Sequence, residues 1–235
     1  MDNTVSNNRQ IVLDTETTGL EPSQGHRIIE IGCVEMINRR LTGNNYHQYI
    51  HPDREIDEGA LAVHGISNEF LADKPRFDDI IADFIDYIDG AELIIHNAPF
   101  DVGFMDHEFR LAGAKFGTTS DYCTVTDTLV MARKMRPGKK NNLDVLCNEF
   151  EVSNAHRELH GALLDAELLA EVYLRMTGGQ SSLSLDAEDL SQSADGVVTV
   201  KKLPAERKPI RVVRASESEL EAHQQIVEKL GGAGW

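Results

Sequence analysis

The sequence predicts an α/β domain, a mixed β-sheet flanked by helices, with a tail of different texture after it. Three observations predict this. Short apolar runs of strand length come first and then alternate with segments of helical period up to about Met176. At 235 residues the chain is long enough to bury a sizeable core in one domain and still carry an appendage. After Gly178-Gly179 the apolar periodicity gives way to Ser and Asp.

Taken in order, Ile11–Glu16 reads as the first strand. Ile11-Val12-Leu13 is its buried lead-in and Thr17-Thr18-Gly19 its end. Ile28–Ile37 and Leu41–Ile50, separated by Asn38-Arg39-Arg40, read as antiparallel strands two and three. Arg76–Ile88 is helical, with Phe77, Ile80, Ile81, Phe84, Ile85 and Ile88 at helix spacing. Leu93–Ile95 is a short buried strand and Phe100–Leu111 a helix. Val125 marks a brief strand before a helix from Asp127, and Leu143–Phe150 and Ala162–Met176 are further helices.

The domain is expected over residues 1–179, a flexible linker over 180–209 and a separate segment over 210–235. Lys201–Arg214 carries six Lys/Arg against Glu206. Ile210–Val213 can extend as a strand. Glu217–Leu230 has a helical pattern, with Ser216 and Glu219 as a capping box and Leu220, Ile226, Val227 and Leu230 on its apolar side. A helix that short does not stabilise itself, so it is expected to fold on a partner.

Composition narrows the function. A net charge of -16 argues against tight, free-standing electrostatic binding to nucleic acid. Cys33, Cys123 and Cys147 are odd in number and lack metal-ligand spacing, which fits reduced thiols. The polar stretch Met1–Gln10 has no apolar core of a signal peptide, and no apolar run is long enough to span a bilayer. A soluble cytoplasmic protein is expected.

The chemistry concentrates in three places. Asp14 and Glu16 are two apart at a strand end, so both project to one spot, where like charges repel unless a cation joins them. Asp101, in His96-Asn97-Ala98-Pro99-Phe100-Asp101, falls in a first helical turn, because Pro99 suits a helix start. A carboxylate is favoured there by the helix dipole, yet strand-to-helix junctions are also where α/β sheets place their sites. Asp165 precedes Leu168, Leu169, Val172 and Met176 at helical spacings, on a buried stripe where an uncompensated carboxylate is costly. His160 lies five residues earlier, about 140° around a helix. It therefore belongs to the preceding loop, free to swing, and suits proton abstraction better than metal binding. Asp127 and Asp144 read as helix caps. His26, His47, His51, His107, His156 and His223 read as structural or surface residues.

The order Asp14-x-Glu16, then His96-Asn97-x-x-Phe100-Asp101, then His160-x-x-x-x-Asp165 resembles the DEDD 3′→5′ exonucleases of the histidine subtype. Among them the chain is most similar to the proofreading epsilon subunits of bacterial DNA polymerase III. The likeness extends through Val63-His64-Gly65-Ile66, Val125-Thr126-Asp127-Thr128-Leu129, Ala132-Arg133-Lys134-Met135, Leu143-Asp144-Val145-Leu146-Cys147 and Ala170-Glu171-Val172-Tyr173.

The resemblance implies a ribonuclease H-like fold with a five-stranded sheet and a site for two divalent cations, Mg²⁺ or Mn²⁺. It implies that Asp14, Glu16, Asp101 and Asp165 hold the metals and that His160 deprotonates the attacking water. It also implies that Val63, His64 and Phe100, with Asp14, Glu16 and Asp165, contact the 3′-terminal nucleotide. The family carries a glutamate five positions before His64, where this chain has Gly59 beside Glu58. Gln180–Leu185 resembles a sliding-clamp-binding peptide, and residues 210–235 resemble the segment that docks on the polymerase catalytic subunit. A small third subunit is a further partner of such a domain. Tethering of this kind would supply the local concentration that an acidic nuclease lacks. The alternatives are a stand-alone exonuclease trimming RNA or oligonucleotides, and a non-catalytic subunit that stabilises the polymerase.

Overall fold

The computed structural model describes residues 9–155, 159–178, 216, 218–220, 223–224 and 227. The chain divides into two compact units, Met1–Ser182 and Leu183–Trp235. The first unit is built on one mixed sheet. Its strands are β1 (Arg9–Thr17), β2 (Ile28–Ile37), β3 (Arg40–Leu41), β4 (Tyr46–Tyr49), β5 (Glu92–Ile95) and β6 (Thr124–Asp127). The order is β3-β2-β1-β5-β6, with β4 also pairing β2. β1 runs antiparallel to β2 and parallel to β5, and β5 runs parallel to β6. The helices are α1 (Glu58–His64), α2 (Asn68–Leu71), α3 (Phe77–Ile88), α4 (Ala98–Ala112), α5 (Thr128–Met135), α6 (Leu143–Glu149) and α7 (Ala162–Gly178).

β1 is the axis of the domain because both of its faces are covered. Ile11 and Leu13 join Leu93 and Ile95 against Phe77 and Phe84 of α3 and Phe104 and Phe109 of α4. Val12, between them, joins Ile94, Val34 and Met36 against Ala166, Leu169 and Tyr173 of α7. A strand buried on both sides reads as a continuous apolar run, which is why Ile11-Val12-Leu13 does not alternate. By the same pleat, Asp14 and Glu16 continue the α7 face, whereas Thr15 continues the α4 face.

The third strand, expected as one piece over Leu41–Ile50, is two. Gly43 lies at a φ of 80°, and the Thr42 hydroxyl donates to Glu35 Oε2 at 2.7 Å, so the chain leaves the ladder between β3 and β4. The sheet therefore has six strands where five were expected. Helices α1 and α2 were not foreseen. They are short and bury only His64 and Leu71, too few apolar positions to mark a helical period. Helix α4 starts at Ala98, two residues before the expected start, with Pro99 in its first turn. Cys33, Cys123 and Cys147 are buried thiols.

In the second unit, positions 218–220, 223–224 and 227 are helical. The expected capping box is formed: the Ser216 amide donates to Glu219 Oε2 at 2.7 Å, and the Glu219 amide to Ser216 Oγ at 3.4 Å. The clamp-like peptide Gln180–Leu185, the linker, Lys201–Arg214, His156 and the first eight residues lie outside the described residues. Among the described residues no helix is long and apolar enough to cross a membrane.

Candidate active site

The carboxylates foreseen at separate points of the chain meet at the C-terminal end of β1. A cavity of about 370 Å³ is lined by Asp14, Glu16, Asp101, His160 and Asp165, with Phe100 and Asn142 on its walls. Three elements deliver them. The pleat of β1 presents Asp14 and Glu16 side by side. After β5, Asn97 takes a left-handed turn (φ 68°) that Asn tolerates, and α4 then places Asp101 in its buried first turn. On the other face, the first turn of α7 carries Asp165, also buried.

Ligand atoms of Glu16, His160 and Asp165 lie within 4.8 Å of one another, a spacing one cation can span. His160 Nδ1 is 3.2 Å from Asp165 Oδ2. Their five-residue separation forbids a shared helical face, and the loop position of His160 is what lets the two meet.

Asp101 gives the clearest electrostatic signal. Burial pushes its carboxyl up to about 7, and the nearby charge of Asp127 adds to the rise. The Thr15 hydroxyl, donating to Oδ1 at 2.7 Å, works against it. Desolvated acids crowded in one cavity are stabilised by a cation, and oxygen donors of this kind suit a hard divalent ion. The residues present therefore fit a metal centre.

The His160 backbone is hydrogen-bonded to α1. Its amide donates to the Val63 carbonyl at the end of α1, at 3.1 Å. Two residues on, the Ala162 amide donates to Glu30 Oε2 at 3.1 Å, while the other Glu30 oxygen is 2.7 Å from His47 Nε2. Glu30 sits opposite Glu16 in the β1–β2 ladder and is itself buried. Gly32, opposite Asp14, lets the start of α7 close on β2. A side chain's first carbon there would lie 2.2 Å from the Ala162 carbonyl carbon. Glu30 was not singled out in the sequence. Its role depends on strand register, and the only local hint is its place, with Glu35, on a largely apolar strand.

Val63, His64 and Phe100 line a second cavity of about 500 Å³, which shares Thr15, Glu16 and Phe100 with the first. Phe100 packs on Phe104 with ring centroids 5.0 Å apart. Burial lowers the pKa of His64, and its Nδ1 accepts from the Ile66 amide at 3.0 Å. Gly59 lies on this wall with open space where a side chain would project.

Asp127 caps α5, accepting from the Leu129 amide at 2.8 Å and the Val130 amide at 3.3 Å. Asp144 does not cap α6. Asn142 holds that position, accepting from the Val145 amide at 3.1 Å, and Asp144 lines the carboxylate cavity instead. His26, His47, His51 and His107 line neither of the two cavities. His47, although exposed, is the partner of Glu30 and so has a structural role.

The exonuclease family matches residues 11–173. The chain is 55% identical over 232 residues to the DNA polymerase III subunit epsilon of Salmonella typhimurium, covering 96% of both chains. It is 53% identical over 232 residues to the subunit of the same name from Escherichia coli, again covering 96% of both. Among solved structures it is similar to exonuclease X in complex with 5′ overhanging duplex DNA, at 27% identity and a TM-score of 0.56. That match covers 72% of this chain and 91% of the other. The convergence of acids at the end of β1 and the near full-length likeness lead to one conclusion: the chain belongs to the exonuclease family and, within it, to the epsilon subunits of DNA polymerase III.

Proposed function

We propose that the protein is the proofreading 3′→5′ exonuclease subunit of a replicative DNA polymerase, releasing misincorporated 3′-terminal nucleotides as 5′-monophosphates. The observation that carries this reading is the single cavity lined by Asp14, Glu16, Asp101, His160 and Asp165. Asp14, Glu16 and Asp165 would hold one divalent cation, and Asp14 and Asp101 would hold a second. Mg²⁺ or Mn²⁺ suits these oxygen donors. When bound, the two ions supply charge stabilisation for the attacking and leaving oxygens of an in-line displacement. His160, beside Asp165, takes the proton of the attacking water. Val63, His64 and Phe100 wedge and stack against the terminal nucleotide without reading its base, as removal of any wrong base requires. An unpaired terminus costs less to extract, which favours mismatches.

The polymerase catalytic subunit is the partner proposed for residues 210–235, and the sliding clamp for Gln180–Leu185. A small third subunit and a cytoplasmic location complete the reading. The trimming and non-catalytic alternatives are not favoured, since the relatives are named as subunits of DNA polymerase III and the five side chains proposed as catalytic line one cavity.

The test is a digest of primed DNA with a paired or mispaired 3′ end, beside single-stranded RNA, with Mg²⁺ and with chelator. Faster loss of the mispaired end, abolished by chelator and by Asp14→Ala, is the expected result. A marked preference for RNA overturns it.

A further inference from the structure

We propose that the basic connection between α5 and α6, Arg133 to Lys140, is a track for the backbone phosphates of single-stranded DNA upstream of the scissile bond. This rests on the nuclease reading and extends it from the terminal nucleotide to the strand behind it.

The charge pattern is the first observation. Residues 128–143 hold five Lys/Arg (Arg133, Lys134, Arg136, Lys139, Lys140) and no Asp or Glu, in a chain of net charge -16. Helix polarity explains only part of this. Arg133 and Lys134 lie in the last turn of α5, where cations are favoured, but Lys139 and Lys140 lie beyond the helix.

The second observation is that the connection is built. The Arg136 side chain is turned inward and buried. It donates to the Lys140 carbonyl at 3.2 Å, to Asn141 Oδ1 at 3.0 Å and to Glu149 Oε2 at 2.9 Å. The Asn141 side-chain amide donates to the Lys139 carbonyl at 2.9 Å. The loop is thus fastened from within, while Lys139 and Lys140 are exposed on its outside. Lys139 Nζ is 3.7 Å from Glu149 Oε1, at a range that leaves the ammonium able to serve a phosphate.

The third observation is direction. The two cavities share Thr15, Glu16 and Phe100; α1 residues line only the nucleotide cavity and α6 residues only the carboxylate cavity. A strand with its last nucleotide at Val63 and His64 and its scissile phosphate at the carboxylates therefore continues over Asn142 and Leu143. Those residues follow Lys140 in the chain by two and three positions. Arg133, exposed in the last turn of α5, precedes the same wall by nine positions at Asn142. A polyanion entering an acidic cleft is repelled by the protein at large, and a short cationic track beside the site offsets that locally.

The test uses the full chain and two substrates: a single-stranded oligodeoxynucleotide, and a nitrophenyl ester of thymidine monophosphate, which has no upstream phosphates. With Lys139→Ala/Lys140→Ala, alone and with Arg133→Ala, KM for the strand is expected to rise about threefold for each cation removed. The log–log dependence of strand KM on salt is expected to weaken by about 0.7 per cation. Ester cleavage stays at its original rate, and Lys139→Arg/Lys140→Arg restores the strand KM. An unchanged strand KM and salt dependence overturns the proposal. So does a parallel loss of ester cleavage, which would mean the loop is only structural. If the unaltered protein cleaves neither substrate, the nuclease reading itself fails and this inference goes with it.

Discussion

Asp101 shows how one residue reports the chemistry of the whole site. Buried among acids, it holds its proton to about 7, whereas the unfolded chain releases that proton in the ordinary carboxylate range. Between about pH 4 and 7 the native protein therefore binds more protons than the unfolded one, and its stability falls as pH rises through that window. In chelator, thermal unfolding is expected to show this decline. Asp101→Asn is expected to remove it and to stabilise the metal-free protein above neutrality by about 1–4 kcal/mol. Added Mg²⁺ is expected to raise the wild-type midpoint, because it binds only the folded site, and to do so far less in Asp101→Asn. His160→Ala belongs to the same scale. Loss of a general base costs about 10²–10⁴ in kcat with little change in KM, read by steady-state hydrolysis.

At the scale of elements, the site depends on how closely α7 seats on β2. Gly32 leaves the room and Glu30 accepts the Ala162 amide, so the pair sets where Asp165 and His160 stand. Gly32→Ala forces the start of α7 away from the sheet. It is expected to cost about 1–3 kcal/mol of stability, measured by denaturant unfolding, and to depress kcat more than KM. Glu30→Ala should depress kcat as well, while Glu30→Gln, which still offers an oxygen to that amide, should retain most of it. The elements that carry this arrangement were readable to different degrees. β1 announces itself through its apolar run and paired acids. The α7 stripe from Asp165 to Met176 is equally plain. Helices α1 and α2 leave almost no trace because they bury one residue each, and the break between β3 and β4 is made by the Thr42–Glu35 bond and Gly43 rather than by hydrophobic pattern. Asp144 was misread for a related reason. Cap and first-turn acid look alike in sequence, and only the Asn142 bond to Val145 tells them apart.

Over the whole molecule, charge and organisation go together. A chain of -16 that handles a polyanion needs local cations at the site and attachment to a machine that already holds DNA. Deleting residues 210–235 is expected to leave ester and oligonucleotide hydrolysis intact and to abolish co-purification with the polymerase subunit. Persistence of co-purification would mean that another surface makes that contact.

The chain's own order of residues established the α/β class, the strand-end acids, the acid in the first turn of α4, the buried acid of α7 and the histidine outside it. Each of these follows from local period and residue type, which neighbours in sequence are enough to specify. The folded arrangement settled the rest: that Asp14 and Gly32 stand opposite each other, that Glu30 anchors α7, that Val63 holds the His160 backbone, and that Asp144 faces the cavity. These are matters of register and packing between segments as much as 132 residues apart. No local pattern encodes such distances, because they are fixed only when the sheet closes and the helices settle on both of its faces.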